Sequence, residues 1–367
     1  MRATITWFKY RPVRAIDGYF RMALGARTAT LSGMSESRMR RGVRRFAAPA
    51  IGVLALLIAA PPASGAFPGA PGPIAYSKIV PGETEFGHAG GLFAHPPLLG
   101  QPPLQLTGNP TDESPAYSAN GRLIAFASSR NDPDAGEKGG ERIFVMRSNG
   151  RGIRQVTPGA FEFSDSNPSF SPNGRRIVFQ RYRPKTRTTH IFSVRINGRG
   201  LRQLTRGRSV DSEPTYSPNG RWIAFVSNRR RRGSGGSDIF SMRPNGRHVR
   251  MLVGGPSRDF APDVSPEGRR IAFASDRGGT AANVFVKRIG RRSRVRRLTS
   301  GTGPCPVEGC YANPSWSPNG RQIAVWRRTE AAFAIAVIPA NGGGGIQVFE
   351  NNGASFLGPP AWGPSPR

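Results

Sequence analysis

Four aspartates, Asp112, Asp165, Asp211 and Asp259, each stand three residues before a proline, at Pro115, Pro168, Pro214 and Pro262. The same place before Pro314 and Pro360 holds Tyr311 and Leu357. Acids recurring at one register of a repeat have two readings. As architecture, each caps its turn or pairs with a repeated arginine such as Arg130, Arg229 or Arg277 in S-S-R, S-N-R and S-D-R. As a site, the four gather at one opening and bind a cation or the basic group of a peptide.

Other chemistry finds little support. There is no G-x-S-x-G nucleophile elbow, and no glycine-rich loop leads into a helix to cradle phosphate. The four histidines, His88, His95, His190 and His248, are too scattered for a metal-dependent lyase. No catalytic residue, metal site or cofactor is predicted. The two cysteines, Cys305 and Cys310, lie in C-P-V-E-G-C, a spacing that in an exported protein predicts a local disulfide across a Pro/Gly turn. Without a nearby histidine, two thiols supply too few ligands for a closed zinc site.

The elements that must position these residues are repeats. S-P-N-G-R-R-I-V-F at Ser171–Phe179 returns at Ser217, Ser265 and Ser317, with a variant, S-A-N-G-R-L-I-A-F, at Ser118. The turn glycines Gly121, Gly174, Gly220, Gly268 and Gly320 lie 53, 46, 48 and 52 residues apart, the period of a four-stranded propeller blade. Each copy carries a proline-led first strand, an apolar second such as Ile124–Phe126, an apolar third such as Ile143–Met146 that closes on Asn-Gly, and a polar fourth such as Gln155–Thr157. A sixth copy is split: Ile74–Tyr76, Gly91–Phe93 and Leu104–Thr107 supply the second to fourth strands, and Pro360–Trp362 the first. The fold predicted is all-β, a six-bladed β-propeller of four-stranded antiparallel blades, whose ring closes through N- and C-terminal strands sharing one blade. On such a ring the link into each inner strand reaches the channel mouth, which is where the four aspartates are expected.

These residues resemble the TolB-like propeller family, whose WD40-like repeats carry an x-P-x-[FWY]-S-P-D-G-x-x-I-A-F core followed by an I-Y-V-M strand and an R-x-L-T strand. The resemblance covers roughly residues 72–367, with Asn or Glu in place of the usual turn Asp. It implies the propeller but not the α/β domain that precedes it in TolB itself, because the hydrophobic leader ends only a few residues before Ile74.

Charge and leader set the compartment and partners. The formal net charge is +31 and the aromatic content 9%. The arginines fall in turns and on strand rims, with no aromatic platform or recognition helix beside them, which argues against nucleic acid and for a solvated rim making at most weak, salt-sensitive contact with anionic polymers. Residues 1–33 lack periodicity, precede a second methionine, Met34, and read as an N-terminal extension. Residues 34–66 read as a signal peptide or N-terminal anchor, with Arg38, Arg40, Arg41, Arg44 and Arg45 before the apolar run Phe46–Ala60 and small residues at Ala63–Ala66. Residues 67–367 form the propeller. The prediction is an extracytoplasmic, monomeric, non-enzymatic propeller that binds a protein, peptide or cell-envelope component at its channel face. The alternative is a hydrolase or lyase acting on polysaccharide or peptide with channel-facing acidic residues, because one fold hosts both classes.

Overall fold

The S-P-N-G-R segment folds by its own chemistry. In the computed structural model the Ser118 hydroxyl accepts the Leu123 N–H at 3.0 Å and donates to Asn120 Oδ1 at 2.8 Å, while Gly121 takes a φ of 69°. The same Ser–Asn clasp forms at Ser171, Ser217 and Ser317. A left-handed corner without a Cβ clash reverses the chain, so the first two strands of each blade pair as a hairpin.

The structure describes residues 5–8, 11–12, 22–23, 26–29, 70–80, 89–96, 101–132, 140–159, 163–230, 236–279, 281–290, 293–301, 309–329, 332–343, 347–352 and 356–366. The leader at 34–66 and Cys305 lie outside the described residues. One unit, 1–62, contains two short antiparallel pairs, Ile5–Phe8 with Ala26–Ala29 and Arg11–Pro12 with Met22–Ala23.

The other unit, 63–367, is the ring. Blade one runs Glu113–Tyr117, Leu123–Ser128, Arg142–Arg147, Arg154–Gln155. Blade two runs Ser164–Phe170, Arg176–Arg183, Thr188–Arg195, Arg202–Gln203. Blade three is Asp211–Tyr216, Ile223–Ser227, Asp238–Met242, Arg250–Val253, and blade four Asp259–Val264, Arg270–Ser275, Asn283–Arg288, Arg296–Arg297. Blade five is Cys310–Trp316, Gln322–Arg328, Phe333–Pro339, Gln347–Asn352. In the sixth, Pro71–Val80 pairs with Ala89–His95 on one side and with Ala361–Pro364 on the other, Trp362 opposite Ile74. All pairings are antiparallel, and the first strands of neighbouring blades touch one another around the axis. This is the six-bladed ring closed by both ends of the propeller chain.

The core lies between blades. Ala125, Ala127, Ile143 and Val145 of blade one pack against Phe170, Ile177 and Phe179 of blade two, and the other interfaces repeat the arrangement. Second and third strands are covered on both faces, which is why they read as unbroken apolar runs.

Candidate ligand-binding mouth of the axial channel

The four repeat aspartates occupy equivalent places at or just before the start of the inner strands, and none is more than 1% exposed. Each is held by an arginine of its own blade. Arg130 bonds Asp112, Arg229 bonds Asp211 at 2.9 Å, and Arg277 bonds Asp259 at 2.5 Å. Blade two uses a different residue: Arg181, on the second strand, grips both oxygens of Asp165 at 2.5 and 2.7 Å. Arg181 stands where the other blades have Ser128, Ser227 and Ser275, and Arg183 occupies the place of their arginine.

Every one of these guanidiniums also lies over aromatic rings, Arg181 over Phe163, Phe179 and Phe192 and the others over two rings of their own blade. Arg130 covers Phe126 and Phe144, Arg229 covers Phe225 and Phe240, and Arg277 covers Phe273 and Phe285, at 5.0 to 5.4 Å. The carboxylate neutralises a cation that the rings attract and burial desolvates. The geometry thus ties each aspartate to its own blade's frame, with its oxygens turned into protein rather than toward the opening.

The environments differ between copies. Burial pushes the Asp211 carboxyl upward, but nearby His190, the Ser227 hydroxyl at 2.6 Å and the Arg229 charge together hold it below its ordinary value. His190 Nδ1 stands 3.9 Å from Asp211, which is electrostatic proximity and too long for a hydrogen bond. For Asp259 burial prevails over Ser275 and Arg277, and the carboxyl is pushed up.

The channel wall is made by other residues. Each inner strand of blades one to five carries a bulge just before its proline, where Ser114, Asn167, Glu213, Ala261 and Asn313 adopt φ between 48° and 53°. A left-handed bulge re-aims the strand, and along it the prolines are buried while the residues on either side are half-buried. Those following the prolines are Ala116, Ser169, Thr215, Asp263, Ser315 and Ala361. These positions hold small side chains, alanine or small polar groups, except at Glu213 and Asp263, two carboxylates on adjacent blades.

Hydrogen bonds lace this wall from blade to blade. Gln180 Oε1 accepts from Asn167 Nδ2 at 3.0 Å and from the Glu213 N–H at 2.9 Å, and Glu213 Oε2 accepts the Ala261 N–H at 2.5 Å. Ser169 accepts the Tyr216 N–H at 3.1 Å, Asp263 that of Trp316 at 2.8 Å, and Ser315 that of Trp362 at 2.9 Å. Burial pushes the Asp263 carboxyl up to about 7, against the N–H groups of Trp316 and Val264 that favour its charge. Among the described residues no three His, Cys, Asp or Glu side chains could hold a metal ion.

A family profile described as the TolB beta propeller domain matches residues 114–365. The chain belongs to the TolB β-propeller family. Among solved structures, TolB from Acinetobacter baumannii is similar with a TM-score of 0.65 and 21% identity, over 80% of this chain and 67% of that one. The putative TolB from Agrobacterium tumefaciens gives 0.54 and 17%, over 80% and 99%. Kuenenia stuttgartiensis hydrazine synthase gives 0.61 and 15% over 82% of this chain, which spans only 48% of that protein. At these identities the likeness shows the fold alone. No curated protein sequence matches the chain.

In this TolB-family propeller the inner strands also carry half-buried Glu213 and Asp263, which the sequence reasoning did not single out beside the repeated aspartates. Their signal was present in E-P-T and A-P-D. Alternation about a proline fixed in the blade interface would have assigned its neighbours to the channel. Cys310 is fully buried at the start of the inner strand of blade five, and its expected partner, Cys305, lies outside the described residues.

Proposed function

We propose that this propeller is an extracytoplasmic binding protein that takes a protein or peptide at its channel mouth, with a lysine, arginine or terminal amine of the ligand directed at Glu213 and Asp263. The observation that carries the reading is their placement. The repeated aspartates are buried against arginines, whereas these two carboxylates stand half-buried on adjacent inner strands. A cation entering a low-dielectric channel is attracted more strongly than at an open surface. The leader at 34–66, read as an export signal, and the proteins of cell envelopes supply the compartment and the candidate ligands. The Cys305–Cys310 bond belongs to the same proposal.

The test captures envelope extract on the immobilised chain and on the Glu213→Gln/Asp263→Asn variant, with retained proteins quantified by mass spectrometry. The expected result is a specific protein or peptide held by the parent and depleted roughly tenfold on the variant, about the effect of one lost charge-assisted contact. Equal retention by two equally folded proteins would remove the channel carboxylates from the binding site.

A further inference from the structure

The turns that join first to second and third to fourth strands emerge at one end of every blade. The Ser148 N–H donates to the Arg122 carbonyl at 2.9 Å, and Ile196 to Arg175, Ile289 to Arg269 and Ala340 to Arg321 repeat the tie between the two turns. Each inner turn ends in an exposed arginine, at Arg122, Arg175, Arg221, Arg269 and Arg321. The outer turns of blades one to three add Arg151, Arg199 and Arg247, also exposed. Among the described residues of these turns the sole carboxylate is Glu267, engaged by Arg270 at 2.6 Å. The buried aspartates, together with Asp132 and Asp238, sit toward the opposite end. One face of the disc is thus an array of guanidiniums with almost no acid among them.

A second feature shares that face. Leu201 and Val249, each 37% exposed, stand between the outer turns and the fourth strands of blades two and three, and Leu104, 60% exposed, is the first residue of the fourth strand of blade six. With Met251 they are the exposed large apolar side chains among the described residues. Scattered exposed leucines need no explanation, but Leu201 and Val249 share one repeat register beside arginines, and Leu104 falls one position later in its blade, at the place of Arg154, Arg202 and Arg250. A soluble polyanion would use the charge and leave the apolar side chains in water. A bilayer with anionic headgroups uses both, phosphate for the guanidinium fork and the acyl boundary for the aliphatic tips.

We propose that this arginine-covered face docks on an anionic phospholipid bilayer, guanidiniums at phosphate level and Leu104, Leu201 and Val249 entering the interface. The inner strands begin at the opposite end, so a docked propeller presents that end away from the lipid. This surface is separate from the channel carboxylates and stands or falls without them.

Sedimentation of the full chain with vesicles of phosphatidylcholine, alone or with phosphatidylglycerol, tests it. The parent should partition at least roughly tenfold more strongly onto the anionic vesicles, and less so as salt is raised. At roughly fivefold per arginine, Arg151→Gln/Arg199→Gln/Arg247→Gln should weaken that partition on the order of a hundredfold. The charge-matched variant Arg206→Gln/Arg208→Gln/Arg258→Gln, altered at exposed sites of the opposite end, should leave it nearly unchanged. Leu201→Ser/Val249→Ser should weaken vesicle binding several-fold while leaving binding to duplex DNA unaltered. Equal partition onto neutral and anionic vesicles overturns the proposal, as do equal losses in the two arginine variants. Vesicle binding indifferent to Leu201→Ser/Val249→Ser, together with tighter binding to duplex DNA, would instead assign the face to a soluble polyanion.

Discussion

The Asp–Arg–aromatic clusters show what a repeated acid does when its partner is also repeated. Side chains of Asp165 and Arg181 are 0% and 7% exposed, so neutralising the acid strands a desolvated guanidinium. Asp165→Asn is expected to lower the unfolding free energy by about 3–5 kcal/mol, read from urea denaturation at neutral pH. A loss below about 1 kcal/mol, the scale of a simple turn cap, would show that the pair does not hold the blade and reopen Asp165 as a ligand contact. Asp263 makes the opposite kind of prediction. Its folded pKa of about 7 lies above the ordinary 3.8, so the stability it contributes is full below the unfolded value and is lost as pH rises through the folded one. Asp263→Asn removes that titration and keeps an acceptor for the Trp316 N–H. Relative to the parent, the variant's melting temperature should therefore climb between about pH 4 and about pH 8. A difference that stays constant with pH would mean that Asp263 does not titrate in this window.

At the scale of the elements, the strand that closes the ring carries more than its length suggests. Trp362 is 8% exposed, donates its indole N–H to the Gly72 carbonyl at 3.0 Å and its backbone N–H to Ser315 at 2.9 Å. It thereby joins the first strand of the sixth blade to its second strand and to blade five. Losing the indole costs about 3–5 kcal/mol, and losing the strand also exposes an edge of Pro71–Val80. Deleting residues 360–367 should lower the melting transition of the whole propeller by well over five degrees as a single step, monitored by circular dichroism. A small shift, or fraying of one blade while the rest melts as before, would show that closure is not cooperative. Blade limits and the split sixth blade were legible because turn chemistry is local: a Pro-Asn-Gly corner reverses the chain whatever surrounds it. The bulges before the prolines were not, because, although Asn167 and Asn313 tolerate a left-handed backbone, nothing in Ser114, Glu213 or Ala261 marks one. The packing of one inner strand against the next imposes it.

For the whole molecule, the leader and the ring make a joint prediction. Protein recovered outside the cytoplasm should begin near Phe67, by N-terminal sequencing, because charged, apolar and small-residue segments follow one another in the order that a signal peptidase reads. The intact mass of the same material should rise only when reduction precedes alkylation, as a Cys305–Cys310 bond requires. An unprocessed chain confined to the cytosol, or two thiols alkylated without reduction, would reverse the respective claims.

What the sequence determined by itself is everything that depends on neighbours along the chain: the hairpins, the period, the number of blades and the split that closes the ring. Even the arginine face was implicit in N-G-R turns that recur at one end of each blade. What the tertiary structure decided is which acids see solvent. Asp112, Asp165, Asp211 and Asp259 form a regular series in the sequence, yet their arginines and phenylalanines come from other strands and close over them. Glu213 and Asp263 break the repeat, and only the closing of the ring leaves them half-buried on the inner strands of adjacent blades. A carboxylate's role is set by the dielectric and the charges around it, and those are assembled across blades rather than along them.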